Sequence, residues 1–504
     1  MDYNLILDSF NFLLDPTTVL MLVFGTFFGI LVGALPGLGT VTALAMLLPF
    51  TYVLTGPQAI SLLLSVYVSS IFGGSIPALL INVPGTPQSA ATTFDGYPMA
   101  QKGQAPEALG WVTICSVIGG IISMLILMFS APQLAKFALK FGSVETFALI
   151  IFSLLTIAWV SDGSPVKGIL AGLIGVFTAT IGIDNMSGIE RYTFGEFELS
   201  AGLNVTPILI GLFALSEVFY QINNPSATPK KIDANTGFKF PDLNSLKIRY
   251  KTIIKSSLIG TFLGILPGVG ATAASMIAYA NAKSSSPRAL EFGKGEPEGI
   301  AASEAANNAV SGGALLPTLA LGIPGDAATA VMLGALIIHG ITPGAQLFQS
   351  TPELVNYIFI ALLLSNILIL FASIISSSIF SKILKIDIKI ILSVVFALSI
   401  SGSYIVRFNF LDVYVAIFTG FIGVILRYCK VPLAPIVIGF ILGPSLENSL
   451  RKGLILNDMN FIGFFQSPIA LVIFSITFIV LVYPFIKALL KYHNKWRNKR
   501  GVNL

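Results

Sequence analysis

Asn82-Val83-Pro84-Gly85-Thr86-Pro87 and Gly322-Ile323-Pro324-Gly325-Asp326 interrupt two apolar stretches that lie more than 200 residues apart. Each is preceded by another Pro-Gly segment. In the first half this is Gly33-Ala34-Leu35-Pro36-Gly37-Leu38-Gly39-Thr40, and in the second Gly264-Ile265-Leu266-Pro267-Gly268-Val269-Gly270-Ala271. Proline and glycine break helices, and a break inside lipid frees backbone groups that need new partners. Matching breaks in two halves are the sequence sign of a transporter whose ligand site lies at the breaks.

The surrounding composition requires a bilayer. Of 504 residues, 55% are hydrophobic and 11% charged, and mean hydropathy is +0.86. Soluble domains carry about 25% charged residues. The runs 108–131, 355–380 and 467–490 exceed the roughly 20 residues that span a membrane. The expected fold is an all-α polytopic membrane protein with discontinuous or re-entrant helices and about 10–12 transmembrane segments. Candidate helices lie near 17–35, 40–54, 58–73, 108–131, 144–160, 165–183, 204–222, 252–266, 270–282, 299–316, 327–339, 353–380, 388–403, 410–427, 432–446 and 467–490.

Pro207-Ile208-Leu209-Ile210-Gly211-Leu212 echoes Pro435-Ile436-Val437-Ile438-Gly439-Phe440, and an acid follows each, Glu217 or Glu447. The expected units are a first repeat over 1–222, a linker over 223–250, a second repeat over 251–450, and a C-terminal helix with a basic tail over 451–504. Charge orients them. The first 101 residues contain no Lys or Arg, so the N-terminus is expected outside, in the periplasm. The linker carries Lys230, Lys231, Lys239, Lys247, Arg249, Lys251 and Lys255, and the tail Lys487, Lys491, Lys495, Arg497, Lys499 and Arg500; both are expected in the cytoplasm. Asp184, Glu190, Glu196 and Glu198 against Arg191 alone fit an outside loop. The repeats are then inverted, with Arg451 and Lys452 left outside against the rule.

A net charge of +5 distributed in this way points to no nucleic-acid partner. Asp2, Asp8 and Asp15 near the N-terminus argue against a cleaved signal peptide. Cys115 and Cys429 read as small buried hydrophobes, without a disulfide or metal framework. The Gly-rich loops lack a following Lys-Ser/Thr, so they are not nucleotide loops; their glycines suit close backbone approach.

At the first break, Asn82, Pro84, Gly85 and Thr86 can present backbone N–H groups and hydroxyls to an anion, and freed carbonyls can hold a cation. Pro36, Gly37, Gly39, Pro267, Gly268, Gly270, Pro324 and Gly325 complete the candidate substrate site. Asp326 stands where the first half has Thr86, which suits a helix N-cap or a cation. Ser70, Glu304, Asn307, Asn308 and Asp326 are the candidate ligands for a coupling Na+ or H+; no other metal is expected. Asp95, before Gly96-Tyr97-Pro98, reads as a turn residue, and His339 as a helix-end residue.

The constellation resembles the large membrane subunit of the tripartite tricarboxylate transporters, the TctA family. The carrying stretches are Gly33-Ala34-Leu35-Pro36-Gly37-Leu38-Gly39, Phe72-Gly73-Gly74-Ser75-Ile76-Pro77, Asn82-Val83-Pro84-Gly85-Thr86-Pro87, Asp95-Gly96-Tyr97-Pro98, Gly295-Glu296-Pro297-Glu298-Gly299-Ile300-Ala301 and Gly322-Ile323-Pro324-Gly325-Asp326. The resemblance implies a non-enzymatic uptake system of the bacterial inner membrane. It also implies a small four-helix membrane subunit and a periplasmic solute-binding protein that delivers a di- or tricarboxylate or related organic anion. Uptake would be symport driven by an ion gradient. A passive organic-anion channel remains the alternative, since it could share the broken helices.

Overall fold

The computed structural model describes residues 9–160, 164–184, 186–224, 237–268, 270–377 and 388–482. Among these, six helices have the length and apolarity to cross a bilayer: α1 (Pro16–Gly33), α3 (Gly56–Ile81), α4 (Pro87–Ala138), α7 (Val205–Ile222), α12 (Pro352–Ser376) and α14 (Phe410–Tyr428). Shorter apolar helices are α2 (Thr40–Thr51), α6 (Pro165–Thr178), α11 (Ala327–Ile338) and α16 (Pro468–Val482). To these are added α5 (Ser143–Val160), α8 (Leu243–Ile265), α9 (Gly270–Ser285), α10 (Pro297–Leu321), α13 (Ile388–Ile405) and α15 (Ala434–Leu456). The extended structure among the described residues is one two-residue pairing, Gly182–Ile183 with Glu190–Arg191. This is an all-α polytopic membrane protein.

The core is built on α3 and α10. The membrane-length window of α3 is wholly buried, and so is almost every residue of α10. They run in opposite directions, because Ser75 late in α3 meets Glu304 early in α10, while Ala59 and Leu64 share a void with Leu315 and Leu319. Lipid tails are as apolar as leucine, so these helices associate through close packing rather than hydrophobic transfer. Gly25, Gly29 and Gly33 recur every fourth residue on α1 and bring its backbone against Ser65, Val66, Ser69 and Ser70 of α3. In the second half Gly260 and Gly264 of α8 lie against Ala306 and Val310 of α10 in the same way.

The two halves interlock further out. Gly172 and Gly175 of α6 lie against Gly439 and Ile436 of α15, and Gly420 and Gly423 of α14 against Leu215 and Ser216 of α7. Each half therefore supplies a helix to a stack completed by the other. Arg191 donates to Glu447 at 2.7 Å, and Arg451 to Asp184 at 2.7 Å. The basic Arg451 thus sits among the acids of the 184–198 loop, where its charge is compensated. Ser187 and Arg451, with the Met186 amide, hold the Asp184 carboxyl well below the usual carboxylate range.

Several boundaries depart from the sequence reading. α8 starts at Leu243, inside the segment read as linker, because Asp242 caps it by accepting from the Ser245 amide at 3.1 Å. Arg249 is buried there, donates to Glu296 at 2.6 Å and stacks over Trp111. The helix expected from 108 begins at Pro87 and continues through a π turn at Ala100–Gln104, where Gly103 takes a φ of 80°. Cys115 is buried as expected, but Cys429 is exposed, since it follows the end of α14 at Tyr428. His339 ends α11 as its C-cap. The tail lysines and arginines, and Lys230 and Lys231, lie outside the described residues.

Candidate functional site

Both breaks are built by the same local device. Asn82 ends the helix Ser75–Ile81 with a φ of 57°, and Gly322 ends α10 with a φ of 70°. The next amide then reaches back to a proline carbonyl, Val83 to Pro77 at 3.4 Å and Ile323 to Pro317 at 3.3 Å. This is the left-handed helix stop that satisfies orphan carbonyls, and asparagine is the side chain that best substitutes for glycine there. The Asn82 side chain itself is exposed. Three anchors fix a common register of 240 residues: Pro57 with Pro297, Pro77 with Pro317, and Pro84 with Pro324.

The breaks are closed by backbone bonds to neighbouring turns. Gly85 N–H donates to Gly74 O at 2.9 Å, and Gly268 N–H donates to Gly325 O at 2.8 Å. A Cβ on Gly85 would stand 2.2 Å from Gly33 O. The hairpin loops keep positive φ at Gly37 (97°), Gly39 (41°), Gly268 (87°) and Gly270 (68°). Pro36 and Pro267 turn the chain between α1 and α2 and between α8 and α9. So the structure brings Pro267 and Gly268 to the break at Pro324 and Gly325, and Gly33, before Pro36, to the break at Pro84 and Gly85.

The ends of the second half-helices differ. Asp326 caps α11, accepting from the Thr329 amide at 2.7 Å and hydroxyl at 2.9 Å, and from Tyr67 Oη of the other half at 3.0 Å. Asp326 is thus the helix N-cap that the sequence suited it for, and its carboxylate occupies that N-terminus. Thr86 at the first break is buried, with its hydroxyl 3.4 Å from Ser89 Oγ; Ser89 Oγ donates to Gly74 O at 2.8 Å. Thr40, which opens α2 beside Gly39, is buried with its hydroxyl unpartnered.

The candidate ion residues separate into distinct surroundings. Glu304 is fully buried and accepts from Ser75 Oγ at 2.7 Å, from Ser116 Oγ at 2.8 Å and from the Thr92 hydroxyl. Asn308 Nδ2 donates to Ser116 O at 2.9 Å and to Asn366 Oδ1 at 3.0 Å. Asn307 is fully buried, and neither its Oδ1 nor its Nδ2 has a partner. An unmet buried amide costs about 1–3 kcal/mol, which makes Asn307 a candidate for ligand contact, and Asn308 Oδ1 is likewise buried without a partner. Ser70 stands apart: its hydroxyl donates to Tyr67 O of its own helix, and its backbone packs on Gly33.

Sequence reasoning missed Ser116, Asn366 and the work of Asp95. The first two are single polar residues inside long apolar runs, where a lone hydroxyl or amide is a weak signal. Asp95 is a buried helix residue rather than a turn residue: its Oδ1 accepts from the amides of Gly293, Gly295 and Glu296 at 2.8–2.9 Å, and its Oδ2 from Tyr279 Oη at 2.9 Å. It ties the first half to the loop that leads into α10.

The family model described as the tripartite tricarboxylate transporter TctA family matches residues 19–438. The chain is 36% identical over 467 residues to an Agrobacterium vitis protein described as the uncharacterized 52.8 kDa protein in the TAR-I ttuC' 3'region, covering 92% of each chain. It is 35% identical over 211 residues to the protein in the TAR-II ttuC' 3'region of the same organism, covering 42% of this chain and 87% of that one. No solved structure matches. The chain belongs to the tripartite tricarboxylate transporter TctA family.

Proposed function

We propose that this chain is the transport-performing subunit of a secondary importer for a di- or tricarboxylate or related organic anion. An ion gradient of Na+ or H+ drives it, a periplasmic solute-binding protein delivers the substrate, and a small four-helix membrane subunit accompanies it. Family membership supports a transporter subunit. The single observation that carries the site is the bare Asn307 amide at the centre of the bundle. It holds the register of Tyr67, which reaches from the first half to the second break at Asp326. By the same register Asn307 is the counterpart of Tyr67, and Thr86 the counterpart of Asp326.

In this reading the substrate carboxylates take the amide of Asn307, the hydroxyls of Thr86 and Thr40, and the main chain of the two breaks. The ion offsets a negative charge whose entry into low dielectric is otherwise prohibitive. The antiparallel course of α3 and α10 supports two inverted units, 1–222 and 251–450, that alternate access around this centre. The N-terminus then faces the periplasm and the tail the cytoplasm of an inner membrane.

The test is uptake of a panel of labelled di- and tricarboxylates into vesicles holding the chain with its co-expressed partners. Accumulation above the outside concentration, lost in Asn307→Ala and on dissipating the ion gradient, supports the proposal. Equilibration without accumulation identifies a passive channel.

A further inference from the structure

The cage around Glu304 has no copy in the other half. At the register of 240 residues, Glu304, Ser75 and Thr92 correspond to Leu64, Leu315 and Met332, which line an apolar void between α3, α10 and α11. Pro106-Glu107 and Pro352-Glu353 set the register for α4 and α12, and there Ser116 corresponds to Leu362, also fully buried. One crossing of the two halves thus carries a carboxylate, whereas the matching positions of its twin are leucine and methionine, with Thr318 and His339 at the same void. Structural need alone does not call for a carboxylate at this place, since the twin closes with leucine and methionine.

We propose that Glu304 is the proton-carrying group of the transporter, one per chain, and that the coupling ion is H+ rather than Na+. This rests on the transport reading above. The carboxylate belongs to α10 of the second half, and its three hydroxyl partners to three segments of the first: the end of α3, the turn at Pro87–Thr92, and α4. A sodium ion, similar in size to calcium, needs several oxygens on the order of 2.4 Å away. Those oxygens must then stand apart from one another to surround it. Here the hydroxyls donate directly to the carboxylate, at 2.7 Å for Ser75 and 2.8 Å for Ser116. The three hydroxyls close directly on the carboxylate, the arrangement of a group that takes up and releases a proton.

The other ionisable groups on the surrounding elements are engaged or remote. On α4, Asp95 is held by three amides and Tyr279, and the Cys115 thiol is buried beside Ser116. On α8, Arg249 is held by Glu296, and Lys251 and Lys255 are exposed. On α10 itself, Glu298 accepts from Thr252, Ser286 and Arg288. Tyr67 of α3 donates to Asp326. Among the described residues no cation pairs with Glu304, so a proton is what removes its charge. The step is a simple addition: the carboxylate gains H+ to become the acid, and one hydroxyl turns to accept the new O–H. The ionised form binds the halves together through three donors. The neutral form binds them less, which lets α10 part from the first half during transport.

Infrared difference spectroscopy of the purified full-length chain in lipid tests this without a known substrate. Titration from mildly acidic to mildly alkaline buffer is expected to show one carboxylic C=O band that disappears in Glu304→Gln. The band should move to higher frequency in Ser116→Ala, where one hydrogen bond to it is lost. Adding Na+ at fixed pH should leave it in place. No band assignable to Glu304, or one displaced by Na+, overturns the proposal. Absence of carboxylate uptake by the wild type would instead overturn the transport reading and leave the spectroscopic result standing.

Discussion

Tyr67 and Asp326, 259 residues apart, meet inside the protein with the phenol donating to the carboxylate at 3.0 Å. Asp326 uses its other oxygen to cap α11 through Thr329. The first half therefore helps decide whether the second break holds its shape. Tyr67→Phe removes the donor and leaves the packing. A hydrogen bond to a charged group contributes about 1.5–3 kcal/mol. Thermal unfolding in detergent should show Tyr67→Phe destabilised by an amount in that range. An unchanged unfolding temperature would mean that the contact carries no weight.

Asn82 separates a backbone role from a side-chain role. Its φ of 57° costs an ordinary residue about 1–2 kcal/mol and costs glycine little. Gly322 fills the matching position in the second half. Asn82→Gly is expected to keep the fold, whereas Asn82→Ala should lower thermal stability by about 1 kcal/mol. If uptake fails in Asn82→Gly although the protein is as stable as wild type, the side chain touches the substrate.

The glycine contacts between α1 and α3, and between α8 and α10, should be intolerant of a methyl group. A Cβ at Gly33 would stand 2.2 Å from Ser70 O, and one at Gly313 2.3 Å from Thr261 O. Both partners are backbone atoms that cannot swing away. Overpacking of this kind costs about 1–3 kcal/mol. Gly56→Ala is the control, because its nearest neighbour is Ile341 Cδ1 at an ordinary 3.6 Å. The expected order of unfolding temperatures is Gly56→Ala near wild type and Gly33→Ala and Gly313→Ala well below.

Acid should loosen the 184–198 loop. Ser187, Arg451 and the Met186 amide hold Asp184 below the ordinary carboxylate value. The stabilisation is therefore complete above that ordinary value of about 3.9, and is lost as pH falls from there through the folded value. Asp184→Asn should abolish this acid dependence and open the loop to protease at neutral pH, with Arg451 left to its pair with Glu447 at 2.6 Å. A variant that titrates like wild type would show that the contact is not what holds the loop.

Much of this protein could be read before its coordinates. The paired breaks at Pro84 and Pro324 were legible because proline and glycine have few uses inside an apolar helix. Glu304 was legible because a charge in hydrocarbon is costly. Its partners were not. Ser116 sits among Val112, Cys115 and Val117, and only the crossing of α4 with α10 turns a common helix hydroxyl into a ligand. Asp95 was misread because Gly96 and Pro98 beside it suggest a turn, whereas the amides of Gly293 and Gly295 draw it into the core. The exposure of Asn82 was hidden for the opposite reason: its backbone, not its amide, is what the break requires.

The exchange of helices between halves, α6 onto α15 and α14 onto α7, also bears on biosynthesis. When the ribosome has delivered only the first half, the glycine stripe of α6 has no mate, and Glu304 has not yet arrived to gather Ser75, Thr92 and Ser116. The nascent first half must wait in the lipid, unfinished, until the second is inserted, and quality-control proteases have that interval in which to find it.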